Sequence, residues 1–214
     1  MDAARAIVVV GVESTGKTTL ARALAEHTGR TLVPEVARAW LAARGNRYRE
    51  EDLETLARLQ WRAEVDAARS GRGLVADTDL VVLRIWSEVR FGRCAPWIRK
   101  ALAARTTAVY LLTRPDLPWE ADPQRETPDA GERAALHERY RRLLGELPHL
   151  WREIGGAGTA RLDAALAALE DTSDPCDSVP QGTPEGCEAV LELLADAGLA
   201  APLCEARCGP GVLA

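Results

Sequence analysis

The segment Gly11-Val-Glu-Ser-Thr-Gly16-Lys17-Thr18 sets two glycines, a lysine and a hydroxyl residue at the spacing G-x-x-x-x-G-K-[ST]. Such a loop can wrap an anion if a strand precedes it and a helix follows. Gly11 and Gly16 allow a close backbone approach that a Cβ would block. The loop amides then point inward, and the helix adds the positive end of its dipole. Lys17 suits the outer phosphates of a nucleotide, and Thr18 offers a hydroxyl to Mg²⁺. Lys17 and Lys100 are the only lysines of a chain that otherwise uses arginine for its cations.

Three further groups carry chemistry. Leu74-Val-Ala-Asp77-Thr-Asp79 is an apolar run ending in two carboxylates. An acid at this place orders the Mg²⁺ shell through water, which points to Asp77. Two roles are open to Asp79: facing the acceptor, or capping the helix that starts at Leu80. Glu35 follows a short apolar run, with Arg38 one turn on. Glu35 is either a group that holds or deprotonates a hydroxyl, or a helix-start acid with Arg38 as its partner. The third group is the polar stretch Asp116-Leu-Pro-Trp119-Glu-Ala-Asp122-Pro-Gln-Arg125. A loop with these residues suits a lid, from which Arg125 could reach a transferring phosphoryl. His27, His137 and His149 lack ligand partners at helical spacing and are read as structural.

The elements needed to position these residues are legible in the apolar pattern. Strands are expected at Ala6–Val10, Thr31–Val33, Arg72–Ala76, Ala108–Leu112 and Trp151–Ile154. Helices are expected at Lys17–His27, Glu35–Arg44, Glu51–Ala68 (with Leu53, Leu56, Leu59 and Val65 inward), Leu80–Phe91, Pro96–Ala104, Ala130–Leu144 and Thr159–Leu169. Residues 114–128 read as the lid loop. The alternation implies an α/β fold with a parallel sheet covered by helices on both faces. Ligands of such sheets bind at the carboxyl ends of the strands, where every group above falls.

The 214 residues suit one such domain, read as 1–170, with an appendage at 171–214. The net charge of −5 is uneven: 171–214 holds eight acids and one base. Cys94 lies in the domain; Cys176, Cys187, Cys204 and Cys208 lie in the appendage, at spacings that do not form zinc knuckles. The appendage reads as an acidic linker and tail with reduced thiols and one short helix at 188–199. No apolar run has membrane-spanning length, no signal-peptide pattern is present, and no basic stripe suggests nucleic acid. The expectation is a cytoplasmic protein without membrane or nucleic-acid partners. The sequence sets no oligomeric state.

Taken together, Gly-Val-Glu13-Ser-Thr-Gly-Lys-Thr-Thr19, Pro-Glu35-Val-Ala-Arg38, Asp77-Thr-Asp79 and Pro118-Trp119 with Asp122 and Arg125 resemble the nicotinamide riboside kinase domain of NadR-type proteins, within the P-loop kinases. The resemblance covers roughly residues 5–170. It implies transfer of the γ-phosphoryl of ATP to the 5′-hydroxyl of nicotinamide riboside, giving NMN. Gly11, Glu13, Ser14, Thr15, Gly16, Lys17, Thr18 and Thr19 would hold ATP, with Arg161 near adenine. Thr18 and Asp77 would support Mg²⁺. Glu35, Arg38, Asp79, Trp119 and Asp122 would face the riboside, and Trp61 stands approximately where family members grip the pyridine ring. Lys17, Asp77, Glu35 and Arg125 would carry the chemistry. Two other functions fit the same residues: a kinase of another nucleoside or small hydroxyl compound, and an ATP-dependent switch whose tail binds a partner.

Overall fold

The computed structural model describes residues 6–105 and 108–171. The expected tail helix and the four tail cysteines lie outside the described residues. Five strands, β1 (Ala6–Val10), β2 (Thr31–Val33), β3 (Leu74–Asp77), β4 (Ala108–Thr113) and β5 (Leu150–Ile154), form one sheet in the order β2-β3-β1-β4-β5. All four pairings are parallel. Strands buried on both faces read as unbroken apolar runs, which is why Ala6-Ile-Val-Val-Val10 and Ala108-Val-Tyr-Leu-Leu112 lack alternation.

Alternate residues of β1 feed two cores. Ala6, Val8 and Val10 pack on one face with Ala76, Tyr110 and Leu112. Ile7 and Val9 pack on the other with Val75, Val109 and Leu111. Helices α1 (Lys17–Thr28) and α7 (Gly158–Glu170) cover the second face through Leu20, Leu24, Ala165 and Leu169. Helices α2 (Val36–Ala42), α3 (Glu50–Ala68), α4 (Leu80–Phe91), α5 (Pro96–Ala104) and α6 (Ala130–Glu146) cover the first. The molecule is thus a parallel sheet covered by helices on both faces.

Two local expectations shift. The third strand starts at Leu74 rather than Arg72, because Gly71 and Gly73 turn the chain at φ 71° and 72°. On α3, Leu59 is 42 % exposed, while Gln60 and Trp61 turn inward. Elsewhere helix ends follow ordinary chemistry. Gly29 and Gly92 close α1 and α4 at φ 68° and 71°, and Asp129 caps α6 by accepting from Glu132 N at 2.8 Å.

Among the described residues, no helix is long and apolar enough to cross a membrane.

Candidate active site

The sheet order brings the chemical groups to one edge. The phosphate loop follows β1. Glu35 follows β2, Asp77 ends β3 beside Val9 of β1, and the long loop 114–129 follows β4. The phosphate loop is held by close approaches that demand its glycine. A Cβ on Gly11, at φ 141°, would lie 2.5 Å from Thr113 Oγ1 and 2.9 Å from Thr113 O. Thr15 Oγ1 bonds Val12 O at 2.8 Å and shares a 2.6 Å bond with Thr113 Oγ1. Lys17 Nζ donates to Val12 O at 2.8 Å, so the ammonium folds back over its own loop.

Charges around that ammonium perturb one another. Burial lowers the Lys17 pKa, against the opposing pull of Glu35 and then Asp77. Burial raises the Glu35 carboxyl, Lys17 pulls it down, and Asp77 pushes it up again. A carboxyl raised by burial beside a phosphate loop is suited to taking a proton from a hydroxyl. Arg38 Nε meets Glu35 Oε2 at 3.1 Å, and its Nη1 reaches Asp122 Oδ2 at 3.4 Å. Asp122 in turn accepts from Gln124 N at 2.9 Å, and this amide, with Arg38, holds its carboxyl below the usual range.

Loop 114–129 is laid over the phosphate loop. Glu13 Oε2 accepts from Glu126 N at 2.9 Å, and Oε1 accepts from Thr127 N and, at 3.4 Å, from Trp119 Nε1. Ser14 Oγ accepts from Glu120 N at 2.9 Å and from Arg125 Nη1 at 3.1 Å. On the far side, Gln124 Nε2 donates to Arg38 O and Asn46 Oδ1, both at 3.0 Å. The loop therefore spans from the phosphate loop to α2. Arg125 Nε is buried without a hydrogen-bond partner, so the guanidinium carries unused donor capacity at the phosphate loop.

Asp77 is buried, and its Oδ1 has no hydrogen-bond partner. Among the described residues, no three His, Cys, Asp or Glu side chains gather as a metal cage. The unpartnered Asp77 oxygen fits Mg²⁺, which is commonly held by one or two carboxylates together with nucleotide phosphates. Thr18 and Asp77 are the residues that would hold it.

Four expected ligand contacts take other roles. Asp79 is 0 % exposed, because its side chain is fully engaged inside. It caps α4 by accepting from Val81 N at 2.8 Å, accepts from Tyr110 OH at 2.6 Å, and pairs with Arg105 at 3.1 Å. The capping role open to it in the sequence is the one the geometry realises. Trp61 is 2 % exposed and packs in the core under Arg105, which keeps its ring from any ligand. Arg161 is 3 % exposed. Its guanidinium bonds Thr15 O, Asp116 and Gly156 O, so it clamps the phosphate loop to α7 rather than offering a face to adenine. Trp119 gives its indole N–H to Glu13 and belongs to the loop closure.

Sequence reasoning missed the groups beneath the site. Glu64 pairs with Arg105 at 2.8 Å, so one arginine serves two carboxylates, Glu64 and Asp79. Burial pushes the Glu64 carboxyl up to about 7 against the pull of Arg105, and burial likewise raises Asp79. Tyr140 of α6 is buried within the field of Glu35, Asp79 and Glu13, and burial first, then these carboxylates, raises its phenol. Gln60 and Glu64 did carry a signal: they are polar residues on the inward stripe of an amphipathic helix.

A family model described as AAA domain matches residues 6–161, most of the chain. The chain belongs to this family. No curated protein matches by sequence. Among solved structures, this AAA domain is similar in fold to the NadR protein in complex with NR, at 22% identity and a TM-score of 0.58. That match covers 78% of this chain and 51% of that one. A NadR structure with NAD and AMP-PNP matches at 21% identity and TM-score 0.56, covering 78% of this chain and 49% of that one. Thymidylate kinase from Ehrlichia chaffeensis matches at 13% identity and TM-score 0.54, covering 78% and 96%. The AAA domain thus spans about half the length of the NadR chains, and what it shares with all three is the P-loop kinase fold.

Proposed function

We propose that the chain is a Mg·ATP-dependent kinase that phosphorylates the 5′-hydroxyl of nicotinamide riboside to NMN. The observation that carries the kinase reading is the closure of loop 114–129, with Arg125 at Ser14. An arginine brought to a phosphate loop by a lid can stabilise charge on a transferring phosphoryl.

The loop amides and Lys17 bind the phosphates, with Lys17 exchanging its bond to Val12 O for a phosphate oxygen. Bound Mg²⁺ supplies neutralisation of phosphate charge, with Thr18 and Asp77 as its protein partners. Glu35 accepts the proton of the attacking hydroxyl, a role favoured by its raised carboxyl. Arg38 and Asp122 orient Glu35 and the acceptor side of the lid. The closed loop excludes water, which favours the hydroxyl over hydrolysis. Positioning and electrostatics supply most of the rate in such reactions.

The choice of acceptor rests on the shared motifs and on the similarity to a NadR structure holding NR. The second reading is a kinase of another nucleoside or small hydroxyl compound, which the same phosphate loop, lid and carboxylates allow. ADP release with Mg·ATP, with and without nicotinamide riboside, separates them. A riboside-dependent rise with NMN formed supports the first reading. No rise refers the chain to a panel of other nucleosides. Lys17→Ala is expected to remove turnover while leaving a folded chain, and retained turnover would sink the phosphate-loop role.

A further inference from the structure

Gln60 of α3 is buried, yet its amide serves two other elements. Its Oε1 accepts from Val36 N at 3.0 Å, and its Nε2 donates to Thr78 O at 3.2 Å. Val36 directly follows Glu35, and Thr78 directly follows Asp77. Thr78 sits at φ 71°, a left-handed conformation that a β-branched residue rarely adopts. Such strain persists only where surroundings over-determine it, and it gathers at functional sites. Here Thr78 N bonds Val9 O at 3.0 Å, the neighbouring Asp79 is locked by Arg105 and Tyr110, and Gln60 holds the Thr78 carbonyl. A primary amide sets an acceptor oxygen and donor N–H groups on a single planar group, which serves the two peptides and also hydrogen-bonds Glu64.

We infer that Gln60 is a positioning residue whose amide fixes the separation between the Glu35–Val36 peptide and the Thr78–Asp79 peptide, one residue past Asp77. The proton acceptor and the metal-supporting carboxylate are thereby held at a set spacing by a side chain that touches neither substrate. The roles of Glu35 and Asp77 rest on the kinase reading above; the bridge itself rests on the two hydrogen bonds.

The test compares the full chain with Gln60→Met, which removes both bridging bonds along with the contact to Glu64, and Gln60→Glu, which keeps an acceptor for Val36 N and, when ionised, loses the donor to Thr78 O. AMP-PNP affinity is measured with and without Mg²⁺. Metal-free affinity is expected to match wild type in both variants, while the Mg²⁺-dependent gain falls about tenfold, the lower range for loss of an outer-shell partner. An unchanged gain in folded Gln60→Glu overturns the inference, even if Gln60→Met fails to fold. A merely structural role would lower thermal stability and metal-free affinity and leave the gain untouched. A wild-type chain without any Mg²⁺-dependent gain overturns both the Asp77 role and the inference. Failure with nicotinamide riboside, in contrast, overturns only the choice of acceptor, since this binding readout needs none.

Discussion

Glu13→Ala should unlatch the lid. The Glu13 carboxylate accepts from two main-chain amides, Glu126 N and Thr127 N, and from Trp119 Nε1 at the longer distance of 3.4 Å. A hydrogen bond to a charged group is worth roughly 1.5–3 kcal/mol net. Glu13 is only half-buried, so the low end applies, and two bonds give about 3 kcal/mol for closure. With about 1.4 kcal/mol per tenfold, the closed-to-open ratio should fall about 100-fold. Amide hydrogen exchange measures this directly. The amides of Glu126 and Thr127 should exchange about 100-fold faster, while those of β4 keep their protection. Glu13→Gln retains one acceptor oxygen without charge and should fall between. Unchanged exchange over residues 119–127 in a folded Glu13→Ala chain would refute the latch and leave the lid held by its contacts with Ser14, Arg38, Asn46 and Arg161. Turnover should drop along with closure, because Arg125 travels with the same loop.

Arg125→Gln should lower kcat by about 10³-fold, the lower end for loss of an arginine finger; a loss under tenfold in a kinase assay would return Arg125 to a loop-packing role. Stability should depend on pH through Glu64. Its carboxyl lies at about 7 when folded against 4.5 when unfolded, so the folded chain binds the extra proton between these values. Stability is therefore highest at the acid end of that window and is lost as pH rises through it, at about 1.4 kcal/mol for each pH unit and about 3 kcal/mol in all. Glu64→Gln leaves Arg105 paired with Asp79 and should flatten the denaturation midpoint between pH 5 and 7.5; an undiminished slope would place the proton elsewhere.

The elements were legible because burial on both sheet faces forces continuous apolar strands, and one-sided burial forces a 3.6-residue stripe on helices. Both are local signals. The phosphate loop was legible for the same reason: its glycines, lysine and threonine act within eight consecutive residues. What local pattern could not give was side-chain direction across long separations. Glu13 looked like part of a phosphate cradle, yet its partners lie more than 100 residues on. Asp79 had a local reading, the helix cap, and a distant one, the acceptor; the local one holds because Arg105 and Tyr110 also claim its oxygens. Trp61 followed the inward stripe of α3, as a large apolar ring does when no ligand wall intervenes. Arg161 was placed near the nucleotide by resemblance, and it does reach the phosphate loop, but as a clamp on Thr15 O.

That clamp also sets an order of events during synthesis. The phosphate loop leaves the ribosome well before the arginine that braces Thr15, which comes 146 positions later, on α7. Thr113, which Gly11 and Thr15 abut, is likewise about 100 positions away. A nascent chain that ends before α7 can pair β1 with β3 and β4, but it lacks the brace on its anion-binding loop. Nucleotide binding should therefore switch on late and abruptly as the chain lengthens past residue 161, so that an incomplete chain does not sequester nucleotide.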